Sequence, residues 1–199
     1  MLRVGRIIEA TEAEGPGLRT AVWLQGCTLG CPGCCNPELL PTRGAPDHGD
    51  VDMDPISLGA QLVDRARRPA EAAIEGVTFL GGEPLQQAVP LARCIAWVRE
   101  HSSLGVMLFT GYRYAQVVAD PDRRRVLELC DLVVAGPFSR AHAPDSRRWI
   151  GSSNQTVHFV TDRYAALRTA WEPYRREIEV HVRDGEIVVN GTPLAEPLL

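Results

Sequence analysis

Three cysteines lie close together just after a predicted apolar strand, and their side chains are the strongest candidates for chemistry in this chain. They are Cys27, Cys31 and Cys34, with the spacing C-x3-C-x2-C. Cysteine thiolates hold iron–sulfur clusters, and a cubane cluster usually takes four of them. Three thiolates in one loop therefore predict a 4Fe-4S centre in which one iron is left open to a small molecule.

A structural zinc ion or a pair of redox thiols would use the same residue type. Structural zinc sites usually have four ligands in two separated pairs. Here the nearest fourth thiol is Cys35, directly beside Cys34, and two adjacent residues could hardly bind one ion without strain. Cys94 and Cys130 fall in helical patterns and are predicted to be small buried apolar residues. Zinc and redox thiols stay open as alternatives on spacing alone.

Length and composition predict one globular domain, since 199 residues with 45% hydrophobic residues can build a full core. No apolar run approaches the ~20 residues that a membrane span needs. The net charge of −4 gives no basic surface for nucleic acid or anionic membranes. We expect no disulfide framework and a reducing, cytoplasmic location, because the first residues lack the apolar stretch of a secretory leader.

Apolar strands alternate with helical patterns along most of the chain. The first predicted strand, Thr20–Gln25, runs directly into the cysteine loop. Four more are predicted at Val77–Leu80, Val106–Thr110, Leu132–Val134 and Val157–Val160. Continuous apolar strands separated by helices predict a parallel sheet wrapped by helices. The units are too few for a closed eight-stranded barrel of ~250 residues, so we expect an incomplete barrel or an open, curved sheet.

Polar residues suited to capping predict where the helices begin. Ser57, Asp122 and Asp162 each precede a helical pattern, and the pattern after Asp162 ends before Pro173. The stretch Pro41–Pro55 is rich in proline, glycine and aspartate, which predicts a mobile loop.

The C-terminal segment follows a different pattern from the rest. Alternating apolar residues in Ile178–Val182 and Glu186–Val189 flank the pair Asp184-Gly185, which is typical of a β-hairpin turn. We therefore divide the chain into a core domain, residues 1–175, and a hairpin extension of the same domain, residues 176–199.

The segment Gly81-Gly82-Glu83-Pro84 follows the second core strand. Two glycines let the backbone approach a ligand closely, and a neighbouring carboxylate can accept hydrogen bonds from an ammonium group. Alone, this segment is typical of an ordinary turn. Together with the cysteine loop, it resembles the radical S-adenosylmethionine (radical SAM) superfamily.

The resemblance implies a fold, a cofactor pair and a set of site residues. It implies an incomplete (β/α)6-type partial TIM barrel, in which the cluster's open iron binds the methionine part of SAM. The cluster would be held by Cys27, Cys31 and Cys34, and the methionine amine by Gly81, Gly82 and Glu83.

Four further segments resemble the glycyl-radical-enzyme activases, and most of all the activator of anaerobic ribonucleotide reductase. They are Gly15–Thr20, Thr110–Tyr112, Val134–Phe138 and Trp149–Gln155. This similarity implies that further residues lie along SAM or face the partner: Thr110, Gly111, Ser152, Ser153, Asn154 and Gln155. It also implies a large glycyl radical enzyme as partner and a flavodoxin- or ferredoxin-type electron donor.

Two positions depart from the pattern of those activases. Cys35 stands where an aromatic residue is usual, and Ala135 stands where the motif carries aspartate. A radical SAM enzyme acting on a small molecule or peptide is therefore kept as an alternative, beside a non-catalytic iron–sulfur or zinc protein. Arg147 and Arg148 are predicted to lie on a solvated loop, with contact to an acidic partner or to the carboxylate of SAM as the alternative. His158 and His181, which fall in strand patterns, are predicted to be partly buried structural residues and not ligands.

Overall fold

The computed structural model describes residues 1–42, 51–68, 73–175, 177–183 and 186–191. Residues 43–50 of the predicted loop Pro41–Pro55 lie outside the described residues, and so does the predicted turn at Asp184-Gly185. The loop prediction is wrong at Val51–Met53, which form a strand. Within the described residues, no helix combines the length and the apolar composition that crossing a bilayer requires.

Strands and helices alternate through the middle of the chain. The strands are β1 (Leu2–Thr11), β2 (Arg19–Leu24), β3 (Val51–Met53), β4 (Gly76–Gly81), β5 (Gly105–Thr110), β6 (Leu132–Ala135), β7 (Thr156–Phe159), β8 (Ile178–Arg183) and β9 (Glu186–Gly191). The helices are α1 (Pro55–Arg67), α2 (Ala88–His101), α3 (Tyr114–Ala119) and α4 (Pro121–Leu129). Short 3-10 turns lie at Pro37–Leu39, Pro84–Gln87, Arg140–His142 and Ala165–Arg168.

Seven of the described strands form one mixed sheet, in the order β3-β1-β2-β4-β5-β6-β7. The central strands β2, β4, β5 and β6 are parallel, as the sequence predicts. Because their carboxyl ends meet at one edge of the sheet, the loops that follow them lie side by side. β8 and β9 pair antiparallel in a separate sheet, over the segment in which the sequence predicts a hairpin.

The expectation of a wholly parallel sheet is wrong at its borders. β1 and β3 run antiparallel to their neighbours, and β7 runs antiparallel to β6. A parallel neighbour needs a crossover connection, usually a helix. Residues 136–155 contain only the short turn Arg140–His142, so the chain returns beside β6 in the opposite direction.

The two faces of the sheet are covered differently. The helix face packs against α1, α2 and α4 through one large apolar cluster, which includes Val22, Leu24, Val77, Phe79, Val106, Leu108, Leu62, Leu91, Ile95 and Val126. The opposite face, here called the hairpin face, is covered by residues of the segment 150–171 and by Val188 of β9. Its strand residues include Ala21, Trp23, Leu80, Met107 and Val134.

Two predicted helix starts are displaced by a few residues. α1 is capped by Asp54, whose carboxylate accepts from the Ile56 N–H at 3.0 Å, and not by Ser57. α4 is capped by Asp120, which accepts from the Asp122 N–H at 3.1 Å, and not by Asp122. In both helices a proline follows the capping aspartate, and proline favours the first helical position while it keeps the preceding residue extended.

The helix predicted after Asp162 is wrong beyond the short turn Ala165–Arg168. The chain after this turn lies against residues 146–148 instead of continuing as a helix. The Arg148 N–H donates to the Glu172 carbonyl at 2.9 Å, and the Trp171 indole N–H donates to the Arg148 carbonyl at 3.0 Å.

Candidate functional site

The cysteine loop begins where β2 ends, at the carboxyl edge of the sheet. The segment that returns from the loop holds its first residues. The Gly26 N–H donates to the Leu39 carbonyl at 2.8 Å, and the Cys27 N–H donates to the Leu40 carbonyl at 3.0 Å. A turn closes from the Cys34 N–H to the Cys31 carbonyl at 3.1 Å. Both ends of the loop are thus fixed by backbone hydrogen bonds.

The thiols of Cys27, Cys31 and Cys34 are free and half-buried in this loop. Burial raises the pKa of the Cys27 and Cys34 thiols, and negative charge on Cys31 raises both further, so the three groups interact. Within the described part of the chain, no set of three or more His, Cys, Asp or Glu side chains already forms a metal-binding arrangement.

The three thiols interact and form no disulfide, so they are available to bind a metal cluster. Binding of the cluster would then set their final arrangement. Metal binding deprotonates a thiol and is coupled to the formation of its site. Cys27, Cys31 and Cys34 would hold such a cluster. Cys35 is exposed at the end of the loop, where the Asn36 side-chain amide donates to its sulfur at 3.4 Å.

The Gly81–Glu83 turn touches the start of the cysteine loop. The Gly82 N–H donates to the Leu24 carbonyl at 2.7 Å, and the Glu83 N–H donates to the Gly26 carbonyl at 2.9 Å. A Cβ atom added at Gly82 would lie 2.5 Å from the Gly26 oxygen, and one at Gly81, where φ is +112°, would lie 2.5 Å from the Leu24 nitrogen. Only glycine allows this approach, so the two motifs form one site.

The carboxylate of Glu83 is held in place by three hydrogen-bond donors of the chain. It accepts from the Leu85 N–H at 2.9 Å, from the Thr110 hydroxyl at 2.8 Å and from the Gly111 N–H at 2.7 Å. Glu83 is 1% exposed, and this burial raises the pKa of the carboxyl group from 4.5 to about 7 despite the three donors. A cationic ligand group beside it would favour the charged form. Thr110 and Gly111, which are predicted to lie along SAM, therefore hydrogen-bond to Glu83, the residue that is predicted to bind the methionine amine.

Gln86, which belongs to neither sequence motif, connects the two motifs through its side chain. Its side-chain oxygen accepts from the Thr28 N–H at 3.2 Å, and its amide donates to the Thr28 hydroxyl at 2.7 Å. The amide also donates to the Tyr112 hydroxyl at 3.3 Å. Gln86 thus fixes the residue that follows Cys27, and its place two residues after the G-G-E-P segment was the one available signal.

The neighbouring Gln87 makes a different set of contacts. Its side-chain oxygen accepts from the Arg3 N–H at 2.7 Å, and its amide donates to the Arg3 carbonyl at 3.2 Å and to the Gln25 carbonyl at 3.0 Å. Gln87 therefore ties β1 to the end of β2, whereas Gln86 holds the cysteine loop.

The predicted residues Ser152, Ser153, Asn154 and Gln155 lie together beside the loop that follows β6. The Ser152 hydroxyl accepts from the Ser139 N–H at 3.1 Å, and the Asn154 amide donates to the Pro137 carbonyl at 2.8 Å. The Gln155 amide donates to the Gly136 carbonyl at 3.0 Å. These contacts build the loop.

The loop after β6 reaches the site at two points. The Gly136 N–H donates to the Thr110 carbonyl at 3.0 Å. A Cβ atom at Gly33 would lie 2.8 Å from Arg140 Nε, so the exposed Arg140 side chain lies against the cysteine loop. Arg140 was missed because no local pattern connects it with the cysteines.

Other residues considered in the sequence serve the fold. Arg147 pairs with Asp145 at 2.8 Å, and Arg148 pairs with Glu172 at 2.6 Å and is nearly buried, so the prediction of a solvated loop is wrong for Arg148. Ala135 packs in the cluster on the helix face.

The two strand histidines are half-buried, as predicted, and each contacts a neighbouring side chain. His158 stacks on Tyr114 with the ring centroids 3.6 Å apart, and His181 bonds Asn190 at 3.0 Å. A groove of about 620 Å³ between α3, α4 and β7 has His158 in its lining but none of the proposed cluster or SAM residues.

The family model described as "4Fe-4S single cluster domain" matches residues 13–158. The match includes the cysteine loop, the Gly81–Glu83 turn and the run Ser152–Gln155. The chain therefore belongs to this family of iron–sulfur proteins.

The chain is also similar to individual curated proteins. Three of them are each named anaerobic ribonucleoside-triphosphate reductase-activating protein. The relative from Salmonella typhi is 32% identical over 151 residues, which cover 74% of this chain and 92% of the relative. The relative from Pasteurella multocida is 30% identical over 153 residues, covering 74% and 91%. The relative from phage T4 is 26% identical over 161 residues, covering 79% and 94%.

Proposed function

We propose that this protein is a radical SAM activase that installs a glycyl radical on an anaerobic ribonucleotide reductase. The observation that carries the proposal is the contact between the two motifs: the Gly81–Glu83 turn bonds the start of the cysteine loop through Gly26, beside the organised Glu83 carboxylate. Family membership supports the cluster, and the relatives' name supports the partner. The four parallel strands would belong to the partial barrel that the resemblance implies.

The cofactor pair supplies the difficult chemistry. A 4Fe-4S cluster held by Cys27, Cys31 and Cys34 would supply one-electron reduction of bound SAM, and with it the radical chemistry that takes a hydrogen atom from a glycine. A flavodoxin- or ferredoxin-type protein would supply the electron, and the free thiols fit a reducing cytoplasm.

The residues of this chain would bind the cluster and SAM and orient them. Cys27, Cys31 and Cys34 would provide thiolates to three irons. Glu83 would accept from the methionine ammonium of SAM, and Thr110 and Gly111 hold its carboxylate in place for this contact. A positive group at Glu83 would lower the raised pKa of this carboxyl and keep it charged. The missing side chains at Gly81 and Gly82 let the turn approach the start of the cysteine loop, and they would leave the backbone open to the ligand.

A radical SAM enzyme acting on a small molecule or peptide remains the second candidate. It is favoured by Ala135, which is buried in β6 at the position where the activase motif carries aspartate. A site built without that carboxylate is compatible with a different substrate.

The test is an anaerobic reconstitution with iron and sulfide, followed by reduction, addition of SAM and measurement of 5′-deoxyadenosine. We expect 5′-deoxyadenosine from the wild type and from Cys35→Ala, and none from Cys31→Ala. Adding a purified anaerobic ribonucleoside-triphosphate reductase should then give a glycyl radical signal in electron paramagnetic resonance (EPR) spectra. Cleavage of SAM without that signal would favour the second candidate. Absence of cleavage from a protein with a full cluster, with and without the reductase, would reject both.

A further inference from the structure

The C-terminal hairpin carries its apolar residues on the outside. β8 and β9 pair in a register that sets Val180 opposite Val189 and Val182 opposite Ile187. Because side chains alternate along a strand, these residues share one face of the ribbon. Together with Ile178 they form what we call the hairpin outer face, whose five side chains are between 39% and 69% exposed.

The opposite face of the hairpin is mainly polar and is turned toward the body of the protein. The Glu179 carboxylate accepts from the Glu12 N–H at 2.9 Å and from the Ala13 N–H at 3.2 Å. The Asn190 amide donates to the Thr11 hydroxyl at 2.9 Å. The hairpin is thus attached to the body of the protein by hydrogen bonds, while the hairpin outer face is exposed to solvent. Contiguous exposed apolar surface of this kind marks interaction sites.

The hairpin is attached to residues 11–14 and packs on the face of the sheet whose strands lead into the proposed site. Val188, on the inward side of β9, packs against the cluster on the hairpin face that contains Trp23, Leu39 and Leu80. Trp23 lies just before the cysteine loop, and Leu80 directly precedes Gly81. A macromolecule that bound at the carboxyl edge of the sheet and extended over this face would therefore meet the hairpin as well.

The size of the outer face argues against a stable dimer formed through it alone. Two strands of six residues span about 20 Å by about 10 Å, so the face covers on the order of 200 Å². A standard interface buries about 800 Å² on each partner. The outer face fits better as one part of a larger interface, whose remainder surrounds the neighbouring site.

We propose that the hairpin outer face is a docking surface for the protein that receives the glycyl radical, and that it contacts an apolar patch on that protein. The inference rests on the proposed function, and it adds the surface through which the partner is held. The hairpin lies beyond residue 158, where the match to the family model ends.

The experiment compares matched threonine variants. The triple variant Val180→Thr, Val182→Thr, Val189→Thr keeps β-branched side chains and strand preference but makes the outer face polar. The control variant, Val89→Thr with Val118→Thr, changes two exposed valines on α2 and α3, which are 56% and 38% exposed. The dissociation constant for a purified anaerobic ribonucleoside-triphosphate reductase is measured for each reconstituted protein, together with partner-independent formation of 5′-deoxyadenosine.

We expect the triple variant to bind the reductase at least tenfold more weakly, and the control variant to bind as the wild type does. The melting temperature and the partner-independent formation of 5′-deoxyadenosine should stay unchanged. Val182→Lys, at the most exposed valine of the ribbon, provides a second variant should the triple variant unfold, and we expect it to weaken binding as well.

Unchanged affinity in correctly folded variants would overturn the proposal, and so would a wild type that does not bind the reductase. A wild-type dimer that the triple variant converts to a monomer, with reductase affinity unchanged, would assign the outer face to a second copy of the chain and also overturn it. Failure of the proposed function is seen separately, as absence of 5′-deoxyadenosine from every variant, including the wild type.

Discussion

The cysteine loop and the Gly81–Glu83 turn follow neighbouring parallel strands, yet the polypeptide organises them to different degrees. At the turn, the Glu83 carboxylate is buried and accepts three hydrogen bonds. In the loop, the backbone is held at both ends, but the three thiols stay half-buried and form no metal-binding arrangement within the described residues.

The difference follows from what each motif is made to bind. A carboxylate in a frame of backbone and hydroxyl donors can be built by folding alone, because every donor is part of the chain. Thiols that must surround a metal cluster gain their binding energy only when the metal arrives. We therefore expect changes in the loop to act through the cluster, and changes in the turn to act through stability and ligand affinity.

Replacing a cluster cysteine should have the largest effect. Cys31→Ala removes one of three thiolates, so we expect iron incorporation to fall to background and formation of 5′-deoxyadenosine to disappear. Because the thiols add little to the cluster-free fold, its melting temperature should stay within a few degrees of the wild type. Cys35→Ala is the matched control and should keep both iron and activity. Equal loss in the two variants would mean that Cys35 also acts as a ligand.

Replacing Glu83 should affect both stability and SAM binding. Glu83→Ala leaves the N–H groups of Leu85 and Gly111 and the hydroxyl of Thr110 without their acceptor, which should cost about 2–3 kcal/mol in the free energy of unfolding. Loss of the ammonium contact should weaken SAM binding by about tenfold to a hundredfold.

Urea denaturation and calorimetric titration of the cluster-loaded protein with SAM measure these two effects. Glu128→Ala, an exposed carboxylate on α4, is the control and should change neither quantity. Wild-type SAM affinity in Glu83→Ala would show that the ammonium is bound elsewhere.

Alanine variants of the neighbouring residues Gln86 and Gln87 distinguish an effect on the cysteine loop from an effect on the stability of the fold. Each alanine variant should lower the free energy of unfolding by about 1 kcal/mol through lost hydrogen bonds. Only Gln86→Ala frees Thr28 beside Cys27, so only this variant should change the EPR spectrum of the reduced cluster and its response to SAM. An altered cluster spectrum in Gln87→Ala as well would mean that the end of β2 controls the loop.

The sequence was sufficient to predict the central strands and the core of the site. β2, β4, β5 and β6 are buried on both faces and appear as continuous apolar runs, which are easily recognised. β1 was missed because Arg3, Arg6 and Glu9 interrupt its apolar residues. The direction of β7 was predicted wrongly because a connection without a helix does not show which way the chain returns.

Contacts between distant segments could not be predicted in the same way. Gln86 bonds Thr28 across 58 positions, and Arg140 lies against Gly33 from a loop after another strand. Such pairs follow from the order of the strands in the sheet, which local patterns do not fix. The motifs were visible because each is contiguous, whereas the residues that hold them together are not.

A second carboxyl group with a raised pKa allows a smaller and more selective test. Burial raises the pKa of Glu14 from 4.5 to about 7; hydrogen bonds from Asn190 and Gly191 and the charge of Arg6 act in the opposite direction. Glu14 accepts from the Gly191 N–H at 3.2 Å, so it lies at the attachment of the hairpin. Glu14→Gln should keep the shape of this contact and remove its titration.

The sign of the pH effect follows from the two pKa values. Below pH 4.5 Glu14 is protonated in both the folded and the unfolded chain, and its contribution to stability is complete. Between pH 4.5 and about 7 the unfolded chain releases this proton while the folded chain retains it, so the wild type loses stability as the pH rises. Glu14→Gln should therefore gain about 2–3 kcal/mol relative to the wild type between pH 5 and pH 8. Urea denaturation at pH 5 and at pH 8 measures the difference in the free energy of unfolding between the variant and the wild type. Both proteins contain Glu83, so its titration cancels from this difference. A constant difference would mean that Glu14 is already charged in the folded protein at pH 5.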